Sequence, residues 1–335
     1  MERITIIGLG LIGGSIALGL KRAPLKDIEI AGIARTPDTS SKARKAGAID
    51  VDARTMEEAV RGARLVVIAS PILSIGPVMD EIAPHLEPSA IVTDAASTKG
   101  VVARWAREKL PPNVYFVGGH PMAGKEQTGF AAADAELFKD KPWVIAPSVN
   151  APEGAVNAVV ALAQSLGARP IFMDADEHDS YVAAVSHLPL TLSSALFSMA
   201  FGSQAWPELA ALASSGFRDT TRLASGSPDM AHDIVQTNRQ NLLHWIDRYQ
   251  QELHRYREVI ERADSREIAE LFARAQLERD NVILNGPPRR EQDGEKSVPM
   301  LSVSDFLLGS KLADMMRKQE DIIRASEKRA EGKRP

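Results

Sequence analysis

Gly8-Leu9-Gly10-Leu11-Ile12-Gly13-Gly14 decides how the rest of this chain is read. The run before it, Arg3-Ile-Thr-Ile-Ile7, is apolar and β-branched, and Ser15 to Arg22 carries a helical pattern. Strand, G-x-G-x-x-G turn and helix in immediate succession are the context a dinucleotide-binding loop requires. Gly8 permits the tight turn, Gly10 lets the backbone approach a pyrophosphate, and Gly13 lets helix and strand pack closely. Leu11 and Ile12 open the helix, whose first N–H groups face the phosphates. The plainer alternative is a purely structural glycine turn.

Outward from this loop, strand and helix patterns alternate. Strands are expected at Ile28–Ile33, Leu65–Ala69, Ala90–Thr93, Asn113–Val117, Trp143–Ala146 and Arg169–Met173. Helices are expected at Thr39–Ala46, Thr55–Arg61, Ile75–Leu86, Gly100–Leu110 and Glu153–Leu166. The alternation predicts an α/β, Rossmann-type, doubly wound and mostly parallel sheet over residues 1–173, with ligand at the carboxyl ends of its strands. Strand patterns then stop. Residues 174–284 read as an all-α domain, 285–299 as a flexible loop, and 300–335 as a C-terminal helix and basic tail.

The end of the second strand should select the cofactor. NAD sites place an acid there for the ribose 2′-hydroxyl. This chain reads Ala31-Gly-Ile-Ala34-Arg35-Thr36-Pro37, and Arg35, Thr36, Ser40 and Ser41 are candidates for a 2′-phosphate. NADP or NAD is therefore expected, with NADP preferred; the alternative role for Arg35 is stacking on adenine. Ser70 and Pro71 follow the next expected strand, where the chain turns beside the cofactor.

Val117-Gly-Gly-His120-Pro-Met-Ala-Gly-Lys-Glu126 places one imidazole among glycines and a proline at a strand end. Imidazole titrates nearest neutrality, so His120 is a candidate general base. It is otherwise a turn histidine. Ser97, in Asp94-Ala-Ala-Ser97-Thr-Lys99, faces the same crevice or caps the helix that follows.

Asp174-Ala-Asp-Glu-His-Asp179 opens a helix, and acids in a first turn answer the helix dipole rather than a metal. The uncharged run Tyr181–Gly202 is long enough for a bilayer, but it holds His187, Pro189 and several serines, so a buried helix of a domain or dimer is the better reading. His187 sits just before the proline. Arg218 and Arg222, four apart, are expected to share a helix face and suit a carboxylate, with a salt bridge to Asp219 as the alternative. Leu242, Trp245, Tyr249, Leu253, Tyr256 and Ile260 form one apolar stripe, read as packing or a dimer face.

The totals agree with an ordinary soluble globular chain. The 335 residues are 44% apolar and 25% charged, with a net charge of -4, which gives no electrostatic case for nucleic acid. There is no cysteine, which excludes disulfides, thiolate metal sites and a cysteine nucleophile. With no signal-peptide pattern at the N-terminus, a cytoplasmic location is expected.

Four ordered motifs, Asp94-x-x-Ser97-x-Lys99, Gly119-His-Pro-Met-Ala-Gly124, Ser186-His-Leu-Pro189 and Gly216-Phe-Arg-Asp-x-Thr-Arg222, resemble the prephenate/arogenate dehydrogenase family of tyrosine biosynthesis from Arg3 to about Leu284. The resemblance implies a Rossmann domain joined to a helical dimerisation domain, a homodimer, and a small-molecule substrate. It implies oxidative decarboxylation: C4 of the substrate gives hydride to the nicotinamide, His120 accepts the C4-hydroxyl proton, and loss of the ring carboxylate leaves an aromatic product. By the same resemblance Ser97 hydrogen-bonds near the base, His187 lies in the substrate pocket, Arg222 holds a substrate carboxylate, and Glu126 stands at the pocket entrance. Leu190, the region Pro228–His232 and Lys125 depart from many relatives, which leaves prephenate against arogenate, and tyrosine inhibition, open. No further regulatory domain is expected. A β-hydroxyacid dehydrogenase would want a lysine base on the interdomain helix, and Tyr181–Gly202 contains none. A non-catalytic NADP sensor would need no aligned base.

Overall fold

The computed structural model describes residues 2–23, 27–125 and 127–286. The opening run forms β1 (Glu2–Ile7) and the glycine loop leads into α1 (Leu11–Arg22). There follow β2 (Ile28–Ile33), α2 (Pro37–Lys45), β3 (Val51–Asp52), α3 (Met56–Val60), β4 (Ala63–Ile68), α4 (Ile72–Ile82), β5 (Ile91–Asp94) and α5 (Gly100–Lys109). The sheet is completed by β6 (Tyr115–Pro121), β7 (Pro142–Pro147) and β8 (Arg169–Phe172), with α6 (Glu153–Ser165) between the last two.

The eight strands lie in the order β3-β2-β1-β4-β5-β6-β7-β8. Every pairing is parallel except β6 with β7. The strand order reverses between β1 and β4, the place where such sheets open a crevice. Parallel strands are covered on both faces, so they are built of near-continuous apolar runs. Ile4, Ile6, Val66, Val67 and Val92 are all fully buried, each contributing roughly 1.5–3 kcal/mol over an exposed side chain. The two-residue β3 is too short to carry a period and was not expected from the sequence. The expected strand before His120 also runs further: β6 reaches Pro121, and His120 pairs with Val144 in the ladder rather than standing on a loop.

Beyond the sheet, α7 (Ala175–Val182) and α8 (Leu188–Phe201) form one helix interrupted by a π-turn over Ala183–His187. Pro189 explains the interruption. It has no N–H, and its ring crowds the carbonyl one turn back, so the helix takes an extra residue there. The Leu188 N–H accordingly donates to the Ala183 carbonyl, five residues away. Three short helices follow, α9 (Trp206–Leu212), α10 (Ser215–Thr221) and α11 (Pro228–Thr237).

Two aspartates tie these helices to the sheet. Asp179 Oδ1 and Oδ2 accept the N–H groups of Lys99 and Gly100, at 2.7 and 2.9 Å, and so cap α5. Asp233 Oδ2 accepts the Leu73 N–H, at 3.1 Å, in the first turn of α4. Neither helix has a cap of its own. Carboxylates at these positions satisfy free donors and oppose the helix dipole. Residues 2–238 accordingly cluster as one unit.

The span Ala175–Phe201 is long and apolar enough to cross a membrane, with a mean hydropathy of 1.4. One face of its first half is buried, through His178, Asp179, Val182, Ala183 and His187, while Tyr181 and Val185 are exposed. In α8 only Leu188 and Ser193 are buried, while Met199 and Phe201 are exposed, so the expected buried helix is only half buried within one chain.

A second unit begins at Arg239. Its helices α12 (Arg239–Arg262) and α13 (Ser265–Asn285) meet through Tyr256 and Phe272, with ring centroids 5.9 Å apart. Tyr249, Leu253 and Ile260 of the apolar stripe are exposed on it. The expected loop was read from residue 285; Asn285 instead ends α13, and Gly286 is described. The rest of that loop and the expected C-terminal helix and tail lie outside the described residues.

Candidate active site

The glycine loop meets the demands of a dinucleotide. Gly8 has φ +97°, and a Cβ there would lie 2.7 Å from the Ala69 carbonyl oxygen. A Cβ at Gly13 would lie 1.9 Å from the Gly8 oxygen. At Gly10 a Cβ would meet nothing within 4 Å, and the N-terminus of α1 has no side-chain cap. Free N–H groups beside open space suit a pyrophosphate. Leu11 and Ile12 remain partly exposed there. The Ser70 backbone N lies beside Gly8 at the end of β4, and Pro71 precedes α4; Ser70 Oγ accepts from Ser74 Oγ at 2.9 Å.

At the end of β2, Arg35 and Thr36 are exposed, and Thr36 caps α2. Ser40 is withdrawn from the expected phosphate set. Its hydroxyl is buried and accepts the Ala34 N–H at 3.1 Å, so Arg35, Thr36 and Ser41 remain.

Across the crevice, β5 and β6 are locked together beneath His120. The Lys99 ammonium is buried against the Asp94 carboxylate and donates to the Gly119 carbonyl at 2.7 Å. Asp94 Oδ1 in turn accepts the Gly119 N–H at 3.2 Å. The N–H and the carbonyl of one residue are thus both held, immediately before the histidine. Gly119 has to be glycine, since a Cβ would come within 2.6 Å of the Asp94 carbonyl oxygen. Burial pushes the Lys99 amine below its ordinary range, with Asp94 opposing.

His120 is buried, and its Nδ1 lies 2.8 Å from His178 Nε2. His178 Nδ1 lies 2.8 Å from Asp179 Oδ1. His120 Nε2 has no hydrogen-bond partner among the described residues. Burial first, then the neighbouring His178, Lys99 and His187, holds the His120 imidazole well below the usual histidine range, so it is a neutral base at pH 7.

His187 stands at the end of the π-turn, fully buried. Asn238 Nδ2 donates to the Asp179 carbonyl at 2.7 Å and lies 3.1 Å from His187 Nδ1. His187 Nε2 is buried with no partner among the described residues. Burial, partly offset by Asp179, lowers its pKa to about 4. A buried polar atom left unpaired costs about 1–3 kcal/mol, which sets this nitrogen apart from the paired Nδ1.

Ser97 is half-buried and does not cap α5; Asp179 does. Nor does Ser97 bond His120, whose Nδ1 goes to His178. Its hydroxyl has no protein partner among the described residues. Arg218 and Arg222 are both exposed, but α10 ends at Thr221 and Arg222 begins a 3-10 turn, so one continuous helix face does not carry both. Arg218 and Asp219 form no ion pair with each other. Glu126 lies outside the described residues; the adjacent Lys125 pairs with Asp134 at 3.0 Å.

Sequence reading missed His178, Asp179 and Asn238. The adjacent His-Asp pair was visible, but it was assigned to the helix dipole. Asn238 carries no local signal at all.

Residues 16–172 match the family model described as prephenate dehydrogenase, nucleotide-binding domain, and residues 174–274 match prephenate dehydrogenase, dimerization domain. The chain is 34% identical over 286 residues to the prephenate dehydrogenase of Bacillus subtilis, covering 84% of this chain and 76% of that one. Among solved structures, it is similar to Aquifex aeolicus prephenate dehydrogenase in complex with hydroxyphenyl propionate and NAD+, with TM-score 0.78 and 28% identity over 84% of this chain and 98% of that one. It is similar to Synechocystis arogenate dehydrogenase, with TM-score 0.73 and 31% identity over 84% and 99% of the two chains. The chain belongs to the prephenate dehydrogenase family and is an NAD(P)-dependent oxidoreductase.

Proposed function

We propose that this member of the prephenate dehydrogenase family converts prephenate to 4-hydroxyphenylpyruvate, in tyrosine biosynthesis. One observation carries the reading: a buried, neutral imidazole, His120, stands in the β6 ladder just before Pro121, with Nδ1 engaged and Nε2 unpartnered among the described residues. When bound on the glycine loop, the nicotinamide supplies the hydride acceptor.

The chain's own residues do the rest. His120 Nε2 takes the proton of the C4 hydroxyl, and departure of the ring carboxylate as carbon dioxide leaves an aromatic ring. Aromatisation drives the reaction, so the protein needs chiefly a base, alignment and carboxylate binding. His187 donates from Nε2 to a substrate oxygen, Ser97 hydrogen-bonds beside the base, and Arg222 holds a carboxylate, with Arg218 at the same pocket. Gly8, Gly10, Leu11, Ile12, Gly13, Ser70 and Pro71 hold the cofactor.

Arg35 and Thr36, exposed where NAD enzymes carry an acid, support a preference for NADP. Residues 1–173 form the cofactor domain, and 174–284 the substrate and dimerisation domain. Exposed Phe197, Met199, Phe201 and Leu212 support a homodimer through the helical part. The absence of cysteine suits a cytoplasmic enzyme.

The similarity to an arogenate dehydrogenase favours a second reading, oxidation of arogenate directly to tyrosine. A spectrophotometric assay that crosses prephenate and arogenate with NAD and NADP decides both questions. The highest kcat/KM is expected for prephenate with NADP. A higher value with arogenate overturns the substrate, and a higher value with NAD overturns the cofactor preference.

A further inference from the structure

We infer that Asp179 sets the proton positions of both histidines in the site, giving them opposite tautomers: His120 with its lone pair at Nε2, and His187 with its proton at Nε2. The inference deepens the reading of His120 as base, and rests on it for the catalytic consequence.

The proton positions follow from which atoms can only accept. Asp179 Oδ1 already takes the Lys99 N–H at 2.7 Å, and Oδ2 takes the Gly100 N–H at 2.9 Å. A carboxylate in that place has only acceptor capacity left, so the 2.8 Å contact requires His178 Nδ1 to donate. Neutral His178 then has a lone pair at Nε2. The 2.8 Å contact with His120 Nδ1 requires one proton between the rings, and it has to sit on His120. His120 is left as an acceptor at Nε2.

The second chain starts from the backbone of the same residue. A carbonyl oxygen only accepts, so the Asn238 group 2.7 Å from the Asp179 carbonyl is its NH2. That same NH2 lies 3.1 Å from His187 Nδ1, which therefore accepts. Neutral His187 must carry its proton at Nε2, the atom left buried without a partner.

The competing arrangement is a His178 cation, which would donate from both nitrogens and force His120 into the unproductive tautomer. Nitrogen NMR separates the two, since only the cation carries a proton on both His178 nitrogens. Asp179 and His178 are thus positioning residues for His120, and Asn238 for His187. When His120 takes a proton, the same chain places the Asp179 carboxylate two hydrogen bonds from the new charge, which is the logic of a catalytic triad lengthened by one ring.

The test is nitrogen NMR on the full-length protein labelled with 15N-histidine, whose seven histidines are assigned by single substitutions. At neutral pH, His120 and His178 are expected as Nδ1–H tautomers and His187 as Nε2–H. A doubly protonated His178, or His120 protonated at Nε2, overturns the inference. Kinetics add a second arm. His178→Leu should lower kcat by about tenfold or more with KM for prephenate little changed. His178→Gln, whose amide oxygen reaches the place of Nε2 and accepts from His120, should recover most of that loss. Equal kcat in both variants overturns the positioning role. If His120→Asn retains turnover while the NMR pattern stands, the base reading fails and the tautomer assignment survives. If His120→Asn is inactive but His120 carries its proton at Nε2, the reverse holds.

Discussion

The helices α1 and α5 begin at the same edge of the same sheet, one after β1 and one after β5, and their N-termini are treated in opposite ways. At α1 no side chain caps the first turn, and Gly10 looks onto open space. At α5 the Asp179 carboxylate occupies the place an external anion would take. Asp233 treats α4 in the same manner. A helix N-terminus attracts anions by default. What separates a ligand site from a structural joint here is whether the protein has supplied its own carboxylate. In the proposed function the open mouth serves the cofactor, and the closed one carries the imidazoles.

Variants on the two sides should therefore fail differently. The largest effect is expected at the closed mouth. His120→Asn should lower kcat by about 10²–10⁴-fold, the usual worth of a general base, while cofactor Kd stays nearly constant. Single-turnover kinetics with equilibrium cofactor binding check this, and a loss of cofactor affinity would break the division. Arg222→Ala, outside both mouths, should raise KM for prephenate roughly 10–100-fold, the value of a charge-assisted hydrogen bond, with kcat less affected.

At the open mouth, Gly13→Ala forces a Cβ to within 1.9 Å of the Gly8 oxygen. It should cost about 1–3 kcal/mol of packing and weaken cofactor binding about tenfold, read as a lower Tm and a higher Kd. Turnover at saturating cofactor should be the least disturbed quantity. Smaller still, Arg35→Ala should reduce any NADP-over-NAD ratio of kcat/KM by about 3–10-fold. An unchanged ratio would leave Arg35 to adenine stacking.

pH sharpens the contrast, because the depressed pKa values belong to the imidazole side. Both His120 and His187 have folded pKa values below the ordinary 6.5, and that of His187 is about 4. The unfolded chain therefore binds more protons between those limits. Stability should be full above pH 6.5 and fall as pH drops toward about 4, which thermal melts across that window measure. His187→Gln should flatten part of that slope, while Arg35→Ala should leave it unaltered.

The open mouth was legible in the sequence because everything it needs is local: one strand, one glycine pattern, one helix. The sheet could be anticipated for the same reason, except for β3, which is too short to show a period. The closed mouth was not legible. Ser97 was a reasonable cap by proximity, yet the cap comes from Asp179, 80 residues beyond Lys99. Asp179 and His178 looked like ordinary first-turn residues, and only their contacts with Lys99 and His120 distinguish them. Arg218 and Arg222 have helical spacing, but the helix tightens to a 3-10 turn between them. Ser40 had the right chemistry beside Arg35, and the Ala34 N–H had already taken its oxygen.

The π-turn before Pro189 has one more consequence. An α-helix advances about 100° per residue, so one extra residue rotates everything beyond it by that angle. Ahead of the turn, Asp179 points to the start of α5; past it, Ser193 Oγ donates to the Thr220 carbonyl at 2.6 Å. The two ends of one rod are clocked to different neighbours. Deleting a single residue between Ala183 and Ser186 would leave composition almost untouched, yet turn α8 off its seat. The proline thus acts as a phase shifter: it sets the angle at which α8 leaves His187.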